Sequence, residues 1–162
     1  MPDFTPRNAN YISRANASFA RQSFMETLGA RLENIRAGYC EIHLAYDKAL
    51  TQQHEYFHGG VIGTLADNAG GYAAFTLMNA TDSVLTIEYK LNIMAPANGE
   101  LLIARGQVLR PGRRVSVAQT NVFSVKDGIE TLSATALGTF MVLADTPDEP
   151  VRKRRSELVI EV

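Results

Sequence analysis

The sequence predicts an α+β fold in which one antiparallel sheet of about six strands wraps a single long central helix, with a short helix ahead of it. Two observations carry that expectation. The stretch 58–79, HGGVIGTLADNAGGYAAFTLMN, is the longest apolar, helix-compatible run in the chain, about 30 Å long at helical rise. The segments on either side of it alternate apolar and polar residues with period two. Beyond it they are separated only by short turn-forming clusters, so they must pair as antiparallel neighbours.

Residues 1–17 are polar and Asn-rich, with Pro2 and Pro6, and are expected to form an arm or a poorly ordered lead-in. From Ser18, the residues Phe19, Phe24, Met25, Leu28 and Leu32 space out like one face of a short amphipathic helix. Ser18 is its candidate N-cap and Gly29 a natural stop. Around Gly38 the period changes to two. Leu32 and Ile35 lead into Cys40, Ile42 and Leu44, which alternate with Glu41, His43 and Ala45, and this predicts a first hairpin. His43 then faces away from Ile42, toward solvent or a partner. Cys40 reads as a small buried apolar residue, with nothing basic beside it to make a reactive thiolate.

In the central stretch Val61, Ile62, Leu65, Ala66, Ala69, Tyr72, Ala73 and Leu77 fall on one arc at 100° per residue, a core-facing stripe. The opposite arc carries Gly60, Gly63, Thr64, Asp67, Gly70, Gly71 and Ala74, where a surface helix would carry Lys, Glu and Arg. Interior glycines cost about 1 kcal/mol each relative to alanine, so this arc is expected to meet another backbone or a ligand closely. A lone Asp there is by default a carboxylate held by local hydrogen bonds.

After a turn at Thr81-Asp82, the strands expected are Ser83–Ile93, Leu101–Arg110, Val115–Lys126 and Thr131–Leu143. Pro96-Ala97-Asn98-Gly99, Pro111-Gly112 and Asp127-Gly128 form the turns between them. The end of the chain follows two prolines and carries Arg152-Lys153-Arg154-Arg155, then Leu158-Val159-Ile160. It reads as a solvated basic tail whose apolar residues could add to an edge or a neighbouring subunit. The expected organisation is a polar arm over residues 1–17, one domain over 18–145 and a basic tail over 146–162.

A chain of 162 residues is long enough to bury a core without staples. A formal charge of -1 and a pI near 6.3 leave no electrostatic footprint for nucleic acid or an anionic membrane. One cysteine excludes an intramolecular disulfide and fits a reducing compartment. With no apolar run of signal or membrane-spanning length, the expected setting is soluble and cytoplasmic.

His54-Glu55-Tyr56-Phe57-His58 satisfies the zinc-protease pattern, but that motif works only within a helix. Here Gly59-Gly60 follow at once and the apolar periodicity begins after them, so His54 to Phe57 reads as an approach loop with no third ligand. There is also no phosphate-binding Gly-Lys loop, no nucleophile elbow and no pair of cysteines. What remains is His58-Gly59-Gly60 followed by Leu65-Ala66-Asp67. A helix starting at Gly59 leaves its first amides without intrahelical acceptors, and glycine lets an anion or a polarised carbonyl approach them. A carboxylate on the same side supplies the other half of acyl-transfer chemistry, a nucleophile or a base. Yet Asp67 lies about 11 Å along the helix from those amides, whereas both must sit roughly 3 Å from one reaction centre. One helix therefore cannot provide both, and two antiparallel copies could. The bland alternative is a tight homodimer contact with no chemistry.

At these residues the chain resembles the hotdog-fold thioesterases of the phenylacetic-acid-degradation (PaaI-like) group, from about Phe24 to Phe140. The matching residues are Gln52, His58-Gly59-Gly60 with Leu65-Ala66-Asp67, Leu85-Thr86-Ile87-Glu88-Tyr89-Lys90-Leu91-Asn92, Pro96-Ala97 with Gly99, and Val108-Leu109-Arg110-Pro111-Gly112-Arg113. The resemblance implies hydrolysis of acyl-CoA thioesters at the interface of a homodimer or a dimer of dimers, without metal or redox cofactor. Asp67 would be the nucleophile or the general base. Gly59, with Gly60 beside it, would polarise the thioester carbonyl and His58 would fix the loop. Gln52, at a position where the family often carries Asn, would help place the nucleophile or carbonyl. Thr86 would contact the carboxylate or water, and Arg110, Arg113 and Asn68 would meet substrate or CoA, although Arg110 and Arg113 read equally well as a solvated hairpin tip. The basic tail and the polar arm depart from the family core. A non-catalytic acyl-CoA-binding protein of the same fold is the other class, and Asp67 discriminates, since a pure binder has no use for a carboxylate aimed at a thioester. A hydratase would want a His paired with an acid at a spacing absent here.

Overall fold

The period-two segments do pair. The computed structural model describes residues 4–149 and contains helices α1 (Tyr11–Phe19), α2 (Ser23–Leu28) and α3 (Gly59–Phe75) and strands β1 (Arg31–Arg36), β2 (Tyr39–Ala45), β3 (Ser83–Ile93), β4 (Leu101–Arg110), β5 (Val115–Lys126) and β6 (Ile129–Leu143). All neighbours are antiparallel in a six-stranded sheet of order β1-β2-β4-β5-β6-β3. The β5–β6 connection is tighter than the sequence suggests. Asp127 and Gly128 take φ of 50° and 76°, the left-handed pair of a two-residue hairpin turn, so β6 starts at Ile129 rather than Thr131.

The N-terminal arm is corrected. Residues 11–19 form a helix because Ala15, Ser18 and Phe19 lie on one face and are buried, three and four residues apart as an amphipathic helix requires. Ser18 is therefore no N-cap. It lies in the last turn of α1, and its hydroxyl meets the Tyr72 hydroxyl at 3.0 Å. Gly29 does stop α2, at φ 74°, with its N–H donating to the Glu26 carbonyl and the Ala30 N–H to the Met25 carbonyl, a left-handed C-terminal cap. The Arg152–Arg155 run lies outside the described residues.

The sheet curls around α3 so far that eleven of its seventeen residues are buried, Gly63, Gly70, Gly71 and Ala74 among them. This corrects the reading of the glycine arc as a surface for a second copy. A β-carbon on Gly70 would lie 2.8 Å from the Phe140 ring, one on Gly71 would lie 3.4 Å from the same ring, and one on Gly63 would lie 3.2 Å from the Tyr89 hydroxyl. These glycines answer to the chain's own sheet. Only Gly60, Thr64 and Asp67 of that arc remain exposed or half-buried, with Asn68 half-buried beside them. Cys40 of β2 is fully buried beside its register partner Gly106. On the outer face His43 Nε2 pairs with Glu41 Oε1 at 2.8 Å, and Glu41 also accepts from Tyr39 and Arg105.

β3 is an edge strand of eleven residues whose one strand partner is β6. Leu85, Ile87, Tyr89 and Ile93 on it are exposed, an apolar edge of the kind that pairs with another chain unless covered. No helix among the described residues is long and apolar enough to cross a membrane.

The tightest approach of helix to sheet is at Gly106 on β4. A methyl group there would overlap the Ala69 carbonyl and lie 2.7 Å from the Gly70 nitrogen, and backbone atoms cannot rotate away as a side chain can. Gly106→Ala is expected to lower the free energy of unfolding in urea by on the order of 1–3 kcal/mol, as overpacking does, or to prevent folding. Unchanged stability would show that α3 can shift off the sheet.

Candidate active site

The approach to α3 is a loop. Lys48–Leu50 form a single 3-10 turn, Thr51 bridges Phe57, and Glu55 sits at φ 63°. His54 and His58 therefore do not share a helix. Among the described residues no group of three or more His, Cys, Asp or Glu side chains is placed to hold a metal. Gln52 folds this loop: its side-chain oxygen accepts from the His54 N–H, and its own N–H donates to the Tyr56 carbonyl.

His58 is the N-cap of α3. Its Nδ1 accepts the Gly60 N–H at 2.9 Å, while its carbonyl accepts from Val61 and Ile62. The Gly60 amide is thus already committed, a correction to the expectation that both glycine amides face a ligand. The Gly59 N–H has no hydrogen-bond acceptor among the described residues, at the positive end of the helix dipole. A β-carbon on Gly59 would stand 3.2 Å from the Ile93 side chain, so a larger residue there would press on β3. Gly59, Gln52, Tyr56, Ile62, Ile93 and Met94 border a pocket of about 400 Å³.

Two turns further along α3 is Asp67, half-buried. Its Oδ1 accepts from the Thr86 hydroxyl at 2.8 Å. Thr86 reaches it from the inner face of β3, just before the register of β3 against β6 slips between Thr86 and Glu88. Burial pushes the Asp67 carboxyl above its ordinary value, and the Thr86 hydrogen bond opposes that shift. Asn68 beside it donates to the Thr64 carbonyl at 3.3 Å. Asp67, Asn68 and Thr86 border a second pocket, of about 530 Å³, which has no lining residue in common with the first. The chain accordingly brings Gln52 and Gly59 together, and Asp67, Asn68 and Thr86 together, but holds the two groups in separate pockets. Arg110 and Arg113 flank the exposed β4–β5 turn and border neither pocket.

The rest of the Asp67 pocket was not visible in the sequence. Ser18 comes from α1, Arg21 and Gln22 from the link between α1 and α2, Tyr72 from α3 and Asp148 from beyond β6. Gln22 Nε2 donates to the Tyr72 hydroxyl at 2.9 Å. The missed signal was the run of polar residues between Phe19 and Phe24, set where an amphipathic face should have been continuous.

A sequence profile of the thioesterase superfamily matches residues 54–131. A thioesterase family protein from Silicibacter pomeroyi, known by its crystal structure, is 44% identical to this chain with a TM-score of 0.81, the alignment covering 82% of this chain and 98% of that one. The chain belongs to the hotdog-fold thioesterase superfamily. A Saccharolobus solfataricus protein provisionally named an esterase is 30% identical over 138 residues, 85% of this chain and 89% of the relative. The 1,4-dihydroxy-2-naphthoyl-CoA hydrolase of Listeria monocytogenes is 24% identical over 97 residues, 60% of this chain and 79% of its own.

The half-buried Asp67 carboxylate has a consequence for stability. Because the folded state holds the Asp67 proton more tightly than the unfolded chain, stability falls as pH rises from the ordinary carboxylate range through the raised folded value. Asp67→Asn removes that loss, so the variant is expected to melt at a higher temperature than the native protein at pH 7 and at the same temperature near pH 3. Carboxyl carbon resonances followed by NMR should show Asp67 titrating above the exposed aspartates, and higher still in Thr86→Val.

Proposed function

We propose that the protein hydrolyses acyl-CoA thioesters to a free acid and CoA at a site completed by two copies of the chain. Asp67 of one copy would face the partner subunit's Gly59 amide. The observation that carries this reading is the separation on α3: a half-buried carboxylate at mid-helix and, among the described residues, an amide without an acceptor at the helix N-terminus lie about 11 Å apart, in different pockets. The apolar edge of β3 supports it. β3 runs past Gly59 at Ile93 and past Asp67 at Thr86, so antiparallel pairing of two β3 edges would set each carboxylate beside the other copy's helix N-terminus.

In this arrangement the Gly59 N–H donates to the thioester oxygen, stabilising the charge that develops there as the carbonyl carbon becomes tetrahedral. His58 positions that amide by capping the next one, and Gln52 shapes the loop around it. With Asp67 as base, water attacks the carbonyl carbon and its proton passes to Asp67. Collapse of the intermediate breaks the C–S bond, and the proton returns to the CoA thiolate. With Asp67 as nucleophile, the C–S bond breaks as an anhydride forms, and water then cleaves the anhydride. Either route draws only on water and involves no electron transfer, so the proposal includes no metal or redox cofactor. Thr86 keeps the carboxylate oriented and ionised, Asn68 lies within reach of the substrate, and Arg110 and Arg113 would meet CoA phosphates as charge-assisted donors. The CoA-hydrolysing Listeria relative supports the choice of thioester, and the single cysteine fits a cytoplasmic enzyme of the PaaI-like kind.

The test is hydrolysis across a panel of acyl-CoA thioesters by native protein and Asp67→Asn. The variant should lose about 10²–10⁴-fold in kcat/KM, the range for a positioned acid or base. Full activity in the variant, or none in the native protein, removes the assignment. Mixing Asp67→Asn chains with Gly59→Val chains should restore activity in mixed dimers, each of which carries one intact site.

A further inference from the structure

One wall of the Asp67 pocket comes from the far end of the described chain. After β6 the backbone turns back as a strap over residues 144–149, and Pro147, Asp148 and Glu149 border the pocket. The strap is tied down along its length. Thr81 Oγ1 donates to Asp145 Oδ1 at 3.0 Å, the Asp145 N–H to Asp82 Oδ1 at 3.3 Å, and Ser83 Oγ to Asp148 Oδ1 at 3.3 Å. The strongest tie is Arg21, between α1 and α2. One guanidinium nitrogen meets both the Asp148 carboxylate, at 2.6 Å, and the Asp148 carbonyl, at 2.7 Å, while the other donates back to the Ala17 carbonyl at 2.9 Å. Arg21 is 39% exposed, so the pair adds little to stability, but three bonds from one planar group define where it sits.

The groove thus runs from Asp67 and Thr86 at one end to Tyr72, Ser83 and the Arg21–Asp148 pair at the other. Asp67 to Tyr72 is five helical residues, about 7.5 Å, and Thr86 to Ser83 is three strand residues, about 10 Å. An extended chain advances about 1.2 Å per bond, since a three-bond residue spans about 3.6 Å, so such a groove holds roughly six to eight carbons.

We propose that the Arg21–Asp148 pair, with the strap it fastens, is the end wall of the acyl pocket and restricts the substrate to compact acyl groups, either an aryl ring or a chain of up to about eight carbons. This rests on the acyl-CoA reading of the Asp67 site. The wall is polar on its inner side, so a longer apolar tail would have to break the ion pair and leave charged groups against hydrocarbon.

The experiment uses straight-chain acyl-CoA thioesters from butyryl to palmitoyl for turnover, and the matching S-alkyl-CoA thioethers, which cannot be hydrolysed, for binding. Native protein, Arg21→Ala, Asp148→Ala and the charge-swapped double variant R21D/D148R are compared. The native protein should prefer the short members. Each single variant should raise the ratio of lauroyl to butyryl kcat/KM about tenfold or more, the scale on which a pocket distinguishes methylenes, and the swap should restore part of the limit. The two single variants act from different elements, so unfolding of one leaves the other to decide. Thioether binding with a length limit that the variants relax, but without turnover, supports the end wall and refutes the hydrolase. Turnover with an unchanged length profile in the folded variants overturns the end wall and leaves the hydrolase standing. Neither turnover nor binding of any member overturns both.

Discussion

The structure depends on how closely α3 can sink into the sheet. At Gly106 there is no room for even one carbon between β4 and the Ala69–Gly70 backbone, and the helix answers with small residues through Ala66, Ala69, Gly70, Gly71, Ala73 and Ala74. A helix carried at the usual separation would rest on one stripe. This one is enclosed, and Phe140 fills the space that the absent side chains of Gly70 and Gly71 leave. The loss of helix propensity in so many glycines is offset by sheet contacts on several sides.

Enclosure leaves one seam. Because β3 is the last strand of the sheet, no further strand among the described residues covers the flank of α3 where Thr64, Asp67 and Asn68 lie. The same seam contains the carboxylate, the acceptor-free amide and the exposed apolar edge. Their coincidence follows from topology. A charged group at any of the eleven buried positions of this helix would be set against the sheet, where an unpaired carboxylate is costly. At the seam it is only half desolvated and has a hydroxyl to accept from. That is enough to raise its proton affinity without forbidding ionisation.

Much of this was legible in the sequence, and the limits have physical causes. The strands came out well where turn chemistry punctuates them, as on both sides of Pro111-Gly112, and less so after Asp127-Gly128, where β6 begins two residues early. Asp67 and Gly59 stand out in the sequence as candidates because a carboxylate and a glycine pair on an apolar helix are locally incongruous. The helix at Tyr11–Phe19 was hidden because three buried residues among Asn, Arg and Ser make a faint pattern, and packing against Tyr72, not propensity, decides it. The glycine arc was misread for a related reason: periodicity tells which residues share a face, but not how many faces the sheet covers. The Gly60 amide was assigned to a ligand because nothing in the sequence says that the imidazole of His58 turns back on it. The strap was out of reach altogether. Arg21 and Asp148 are 127 residues apart, and no local signal connects them.

The single cysteine bears on the chemistry in a different way. The proposed hydrolysis of a CoA thioester would release a thiol into the site at every turnover, and a free thiol exchanges with any accessible disulfide, or forms a mixed disulfide with a nearby sulfur under oxidation, through the thiolate form. Cys40 is enclosed between β2 and the helix, and burial pushes its thiol well above the ordinary range, so it offers neither access nor charge. A thiol product of the proposed reaction would therefore find no exchange partner in the protein's one cysteine.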